Sequence, residues 1–471
     1  MTTIDFTAPK FDGDGPVGPL AGNVRFGAAT AAFQIEGATH ADGRGESIWD
    51  RFCRTPGAVA NGDTGDVACE HYRRWEADLD LMAALGLESY RFSIAWPRVQ
   101  PLGRGPVNDA GLRFYRSLAE GLRERGIEPI ATLYHWDLPQ ALQDQGGWAA
   151  RDTALRFAEY AQVCGDALGD VVSQWITHNE PWVVAFLGHA AGVKAPGIRD
   201  WPTAVRVSHH LLLSHGLAVQ ALRASAGAGE SGAGPDVGIA LNLAPVHPAG
   251  PGADHHAAAR RMDGHLNRWF LDPLLRGRYP DDMLELYERA YGAPLTEQRN
   301  GDLPVIHEPI DFLGVNYYFP QRVFASPHDG PLGVHHAPAP PPTTTMGWEV
   351  DPAGLHDLLM RLRRDYRPLP VYITENGASF DDPPAAEGLV EDPQRTAYLR
   401  GHLEALARAV ADGADVRRYC VWSLLDNFEW EHGYDKRFGI VHVDYRTQRR
   451  SVKRSGLWYR EFIGWMRRLR G

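Results

Sequence analysis

Two glutamates stand out by the residues around them. Glu180 lies in WITHNEPW and Glu375 in VYITENG. Each closes a short run of β-branched and aromatic residues and is followed by Pro or Asn-Gly, the pattern of a strand that has just ended. Two carboxyl groups facing each other across a cleft can cleave a glycosidic bond. One protonates the leaving oxygen while the other attacks the sugar carbon or activates water. A single glutamate at a strand end is better read as an ion-pair partner. A pair set among indoles, amides and a histidine favours the chemistry.

Other polar residues fall at the ends of similar runs. They are Gln34 and Glu36, Arg91, His135 and Trp136, Asn179, Asn316 and Tyr318, Asn376, then Trp422, Glu429 and Trp430. The runs occupy residues 26–37, 89–96, 129–136, 174–181, 237–243, 312–318, 371–376 and 419–426. Between them lie stretches with apolar residues at three- and four-residue spacing, at 71–85, 111–125, 152–168, 205–224, 355–364 and 393–412. Alternating strands and helices imply parallel βα units. A doubly wound sheet is possible, but a barrel closes at eight strands without edges. The expected fold is therefore α/β, a (β/α)8 TIM barrel with long βα loops, whose strand ends converge on one face. Residues 1–22, rich in Gly, Pro and Asp, are expected to be a flexible N-terminal arm, and 23–471 a single catalytic barrel domain. Residues 225–236 are small and read as a helix-to-strand linker. Residues 325–348 read as a surface loop on the active-site side.

The remaining signals exclude other classes. A formal net charge of −11 argues against a nucleic-acid partner. Four dispersed cysteines without a CxxC pair read as reduced thiols of a cytoplasmic protein. No apolar run approaches the ~20 residues that cross a bilayer, so no membrane partner is expected. The histidines show no zinc-ligand spacing, and neither a metal nor a cofactor is expected. A GxGxxG pattern within residues 13–18 lacks a preceding strand and is discarded as a dinucleotide site. The 14 tryptophans suit sugar recognition, since an indole offers a flat apolar face.

From about Gly22 onward the chain resembles glycoside hydrolase family 1, the β-glucosidase family. The motifs that carry the likeness are FGAATAAFQIEG, SIWDRF, YRFSIAWPR, TLYHWDLPQAL, WITHNEPW, GVNYY, YITENG and WSLLDNFEWEHGYDKRFGIV. The resemblance implies the barrel and a retaining β-glycosidase, most specifically a β-glucosidase that removes terminal β-D-glucosyl residues through a covalent intermediate. It implies Glu180 as the acid/base and Glu375 as the nucleophile. It assigns Gln34, His135, Asn179 and Glu429 to the sugar hydroxyls, with Trp136 beside them. Trp422 becomes a stacking face, Trp430 an indole donor and Trp348 a wall for the leaving group. Asn316 and Tyr318 position the nucleophile and water, and Arg91 keeps Glu375 ionised. The implied partners are small β-glucosides or β-linked oligosaccharides, as in cellulose degradation. A noncatalytic sugar-binding protein would lack one or both carboxylates, which this chain keeps. A transglycosidase would use the same intermediate and stays open.

Overall fold

The computed structural model describes residues 24–225, 234–292, 298–383 and 389–470. The expected N-terminal arm and most of the expected 225–236 linker lie outside these. Eight parallel strands close into a barrel in sequential order. They are β1 (Arg25–Ala29), β2 (Ser89–Ser93), β3 (Glu128–Tyr134), β4 (Gln174–Asn179), β5 (Asp236–Asn242), β6 (Phe312–Asn316), β7 (Val371–Asn376) and β8 (Val416–Trp422). Helices pack outside them, among them α1 (His71–Ala84), α2 (Asp109–Glu124), α3 (Asp152–Leu168), α4 (Trp201–Ser225), α5 (Pro352–Asp365), α6 (Pro393–Ala411) and α7 (Arg454–Arg470). This is the (β/α)8 barrel expected from the alternation. No described helix is long and apolar enough to cross a membrane. All four cysteines are free and buried.

Several strands end earlier than the runs that announce them. The run at 26–37 is strand only as far as Ala29, after which Ala32–Ile35 makes one helical turn. Its first N–H is received by the Ser93 hydroxyl at 2.7 Å. Gln34 therefore projects from a turn rather than from a strand. The run at 89–96 breaks at Ser93 because Pro97 starts a new helical turn, Trp96–Val99. Part of the expected loop at 325–348 is ordered. Gln321–Ala325 pairs antiparallel with Val334–His336 and parallel with Val246–Pro248.

Register departs from regularity where function is expected. On β7 it shifts between Ile373 and Glu375 against β6, and on β4 between Ile176 and Asn179 against β5. Such irregularities re-aim a side chain at a strand end. Just beyond β7, Gly377 packs so tightly that a Cβ there would sit 1.7 Å from the Trp422 carbonyl oxygen. The two strand ends approach to backbone contact only because residue 377 has no side chain. Gly377→Ala is expected to destabilise the fold by about 1–3 kcal/mol, as overpacking does. A thermal melt checks this; an unchanged Tm would mean that the end of β7 backs away freely from β8.

Candidate functional site

The strand ends enclose a cavity of about 770 Å3 at the mouth of the barrel. Its lining includes Glu180, Glu375, His135, Asn316, Glu429 and Trp348, together with Trp136, Tyr318, Trp422 and Trp430. Gln34, Arg91 and Asn179 are not part of the lining. Each is buried and bonded to a residue that is: Gln34 Nε2 lies 3.4 Å from Glu429 Oε2, Arg91 Nη1 lies 2.7 Å from Glu375 Oε1, and Asn179 Nδ2 lies 3.0 Å from His135 Nε2.

One hydrogen-bond network joins the two glutamates. Arg91 donates to Glu375 Oε1 and to Asn179 Oδ1, both at 2.7 Å. Asn316 donates to the same Asn179 oxygen at 3.0 Å and to Glu180 Oε1 at 2.7 Å. The Tyr318 hydroxyl donates to Glu375 Oε2 at 2.6 Å. Thr374 Oγ1 donates to Asn316 Oδ1 at 2.6 Å and so orients that amide.

The two carboxyls have unlike surroundings. Burial pushes both up, because it disfavours the charged form. For Glu375 this is opposed by the adjacent Arg91 guanidinium and by the Tyr318 hydroxyl. Glu180 has only a neutral amide in contact and faces the charge of Glu375, and it rises to about 8. A proton shared between them therefore resides on Glu180. Burial, helped by the Arg91 charge, drives His135 well below its usual range, so its imidazole is neutral.

Aromatic rings form the rest of the wall. Trp136 packs on Trp430 at 4.6 Å, and His135 lies parallel to Trp422 at 5.8 Å. Trp348 stacks on Phe319 at 4.9 Å, and both line the cavity. Glu429 is buried and pushed up to about 8 by burial. It pairs with neither Lys436 nor Arg437, the cations that follow it in the chain. Lys436 donates to the Thr345 carbonyl and Arg437 pairs with Asp426 at 2.9 Å. Glu36, which the strand-end reading grouped with these residues, is turned away from the cavity. It takes Arg98 Nε at 3.0 Å and the Tyr115 hydroxyl at 2.7 Å.

The sequence reading missed other lining residues: Trp182, Lys194, Asn242, His265 and Glu431. Trp182 adjoins the NEP motif and could have been included. Lys194 and Glu431 are bonded to each other from distant parts of the chain, and nothing local marks either.

The family model described as Glycosyl hydrolase family 1 matches residues 18–466. Beta-glucosidase A of Acetivibrio thermocellus is 49% identical over 440 residues, 93% of this chain and 96% of its own. Thermostable beta-glucosidase B of Thermobispora bispora is 51% identical over 469 residues, 98% of this chain and 95% of its own. A family 1 β-glucosidase structure from Thermotoga maritima superposes with a TM-score of 0.90 at 45% identity, covering 95% of this chain and 98% of that one.

The Tyr318 contact gives a direct test of the site's electrostatics. Its hydroxyl stabilises the charged form of Glu375, so its loss must raise that carboxyl's pKa. Tyr318→Phe is expected to move the Glu375 titration up by about one pH unit. Carbon NMR of labelled glutamate, assigned with Glu375→Gln, measures it; a downward move would contradict the network described.

Proposed function

This chain belongs to glycosyl hydrolase family 1, and from that premise we propose how its two buried glutamates divide the work of a retaining β-glucosidase. Glu180 enters the reaction protonated and gives its proton to the glycosidic oxygen. Glu375 enters ionised and attacks the anomeric carbon as the leaving group departs, forming a glycosyl ester on its carboxylate. Water then approaches from the vacated side. Glu180, now a carboxylate, takes a proton from that water, whose oxygen displaces Glu375 from the anomeric carbon. Two inversions restore the β configuration.

The observation that carries this division is the asymmetry of partners. Glu375 is bonded to a guanidinium and a phenol, which favour the carboxylate. Glu180 is bonded to an amide and pushed up to about 8, which favours the acid. Gln34, His135, Asn179 and Glu429 are proposed to receive the glycone hydroxyls, with Trp422 beneath the ring and Trp136 and Trp430 beside it. Trp348 is proposed to face the leaving group. The proposed substrates are small β-glucosides and short β-linked oligosaccharides, met in the cytoplasm.

The test of the roles is azide rescue. With Glu375→Ala and an activated glucoside, azide is expected to take the nucleophile's place and give an α-glucosyl azide. With Glu180→Ala, azide is expected to attack the covalent intermediate and give the β-glucosyl azide, with dinitrophenyl substrates surviving better than alkyl glucosides. NMR of the products decides; the same anomer from both variants would overturn the assignment.

The glycone should carry no phosphate. Glu431 and Glu375 lie near Glu429 at this end of the cavity, and the nearby Lys194 is already bonded to Glu431. A 6-phosphate would add about −1.5 to −2 charges among them. Nitrophenyl β-glucoside is expected to turn over at least about tenfold faster than its 6-phosphate, a difference of about 1.4 kcal/mol. Faster turnover of the phosphorylated compound would remove Glu429 from the glycone pocket.

A further inference from the structure

The Lys194–Glu431 pair has no part in the catalytic steps described above. Lys194 lies in the segment following β4, and Glu431 in the turn following β8 that also holds Glu429 and Trp430. Lys194 Nζ donates to Glu431 Oε2 at 2.5 Å, and both residues line the cavity. The ammonium lies 5.2 Å from the centre of the Trp136 ring, within range of a cation–π contact. Trp136 packs in turn on Trp430. The Lys194 side chain is only 12% exposed and that of Glu431 25%, so solvent screens them poorly.

We propose that Lys194 and Glu431 are a pair of positioning residues of opposite sense, which together set the charge of Glu429 and through it the preference for glycones that carry a 6-hydroxymethyl group. This rests on the reading of Glu429 as a receiver of the glycone's outer hydroxyls. An ionised carboxylate accepts hydrogen bonds from hydroxyls more strongly than a carboxylic acid does. A neighbouring cation favours that ionised form and a neighbouring anion opposes it.

The groups that face Glu429 are few. From its own turn comes Glu431, from the segment after β4 Lys194, from the end of β7 Glu375, and from beyond the end of β6 the Tyr318 hydroxyl. From the turn after β1 comes the neutral amide of Gln34. Lys436 and Arg437 are engaged elsewhere. Burial pushes Glu429 up; Glu431 and Glu375 push the same way, and Lys194 is the cation that opposes them. Burial would also raise Glu431, but Lys194 outweighs it and holds that carboxyl below its usual range, so the pair is charged on both sides.

Glu180 and Glu375 titrate with any substrate, and Lys194 also acts on Glu180. The useful measurement is therefore a ratio from which their limbs cancel: kcat/KM for nitrophenyl β-glucoside over that for nitrophenyl β-xyloside, which lacks the hydroxymethyl group, from pH 5.5 to 9.5. In the unmodified enzyme the ratio is expected to rise across a limb near pH 8, where Glu429 ionises. Lys194→Met should move that limb up by about one pH unit, and Glu431→Gln should move it down. Lys194→Arg, which keeps the charge, should leave it in place. Loosening of the loops would alter both substrates alike or move the limb the same way in both neutral variants. Either result, or no movement in either variant, would overturn the inference. Should Lys194→Met fail to fold, the downward move in Glu431→Gln still decides. If the unmodified enzyme cleaves neither glycoside, it is the proposed function that fails instead.

Discussion

A guanidinium with no exposed surface sits at the centre of the barrel mouth, and the site depends on satisfying it. Moving such a cation out of water costs several kcal/mol unless every donor is met. Arg91 meets that demand from three other strands. Nε goes to Thr132 of β3 at 3.1 Å and Nη2 to Asn179 of β4 at 2.7 Å. Nη1 goes to the Thr374 carbonyl at 3.1 Å and to Glu375 at 2.7 Å, both on β7. With Arg91 itself on β2, one buried charge fixes the relative positions of β2, β3, β4 and β7. Glu375 is therefore as much a structural requirement of Arg91 as Arg91 is an electrostatic requirement of Glu375. The Asn179 oxygen that completes Arg91 also receives Asn316, and Asn316 reaches Glu180. The second carboxyl is thus tied to the same cation through three hydrogen bonds.

A second buried charge cluster plays a comparable part outside the cavity. Lys453 Nζ bridges Asp382 at 2.5 Å and Asp426 at 2.6 Å. Arg395 binds Asp382 and Asp392 at 2.8 and 2.5 Å, and Arg437 binds Asp426 at 2.9 Å. Three acids thus meet three bases, and Lys453 has no exposed side-chain surface. Asp382 lies in the segment that follows Glu375, and Asp426 lies between Trp422 and Glu429. The cluster ties the chain leaving β7 to the chain leaving β8. Close backbone approach at Gly377 does the same nearer the cavity. Buried ion pairs add little net stability over apolar packing, but their directional bonds hold these two segments in one register.

Much of this architecture was legible because the strands announce themselves by type and spacing, and because a barrel gathers its strand ends on one face. His135, Asn316, Tyr318 and Trp422 could be grouped from position alone. Gln34 could not be placed correctly. A continuous apolar run hides the change from extended chain to helical turn after Ala29, and the Ser93 cap that starts the turn comes from another strand. The register shifts at Glu375 and Asn179 arise from pairing between strands and leave no trace in either strand's own pattern. The bonds Lys194–Glu431 and Lys453–Asp382 join residues 237 and 71 positions apart. Partners at such separations are chosen by the closed barrel and not by any local sequence rule. Burial shifts the carboxyls at Glu180 and Glu429, and burial belongs to the assembled cavity.

Three cavity residues also hold left-handed backbone conformations, which cost non-glycine residues free energy: Trp136 at φ 81°, Glu180 at φ 49° and Trp430 at φ 51°. Each is held by contacts that the fold has already made. The Trp136 indole donates to the Asn179 carbonyl at 2.9 Å, and the Glu180 N–H donates to the Ala240 carbonyl at 2.9 Å. The Trp430 ring is packed against Trp49 at 4.5 Å and Trp136 at 4.6 Å. In each case the turn redirects a side chain that an extended continuation would have carried elsewhere. The redirected atoms then complete contacts among neighbouring strand ends. Local backbone cost and the demand of the buried Arg91 are therefore coupled through Asn179. Its side chain satisfies the cation and its carbonyl anchors the strained Trp136. A change at Asn179, Trp136 or Glu180 should be felt at the carboxylates, because none of the three can relax without leaving another buried polar group unpaired.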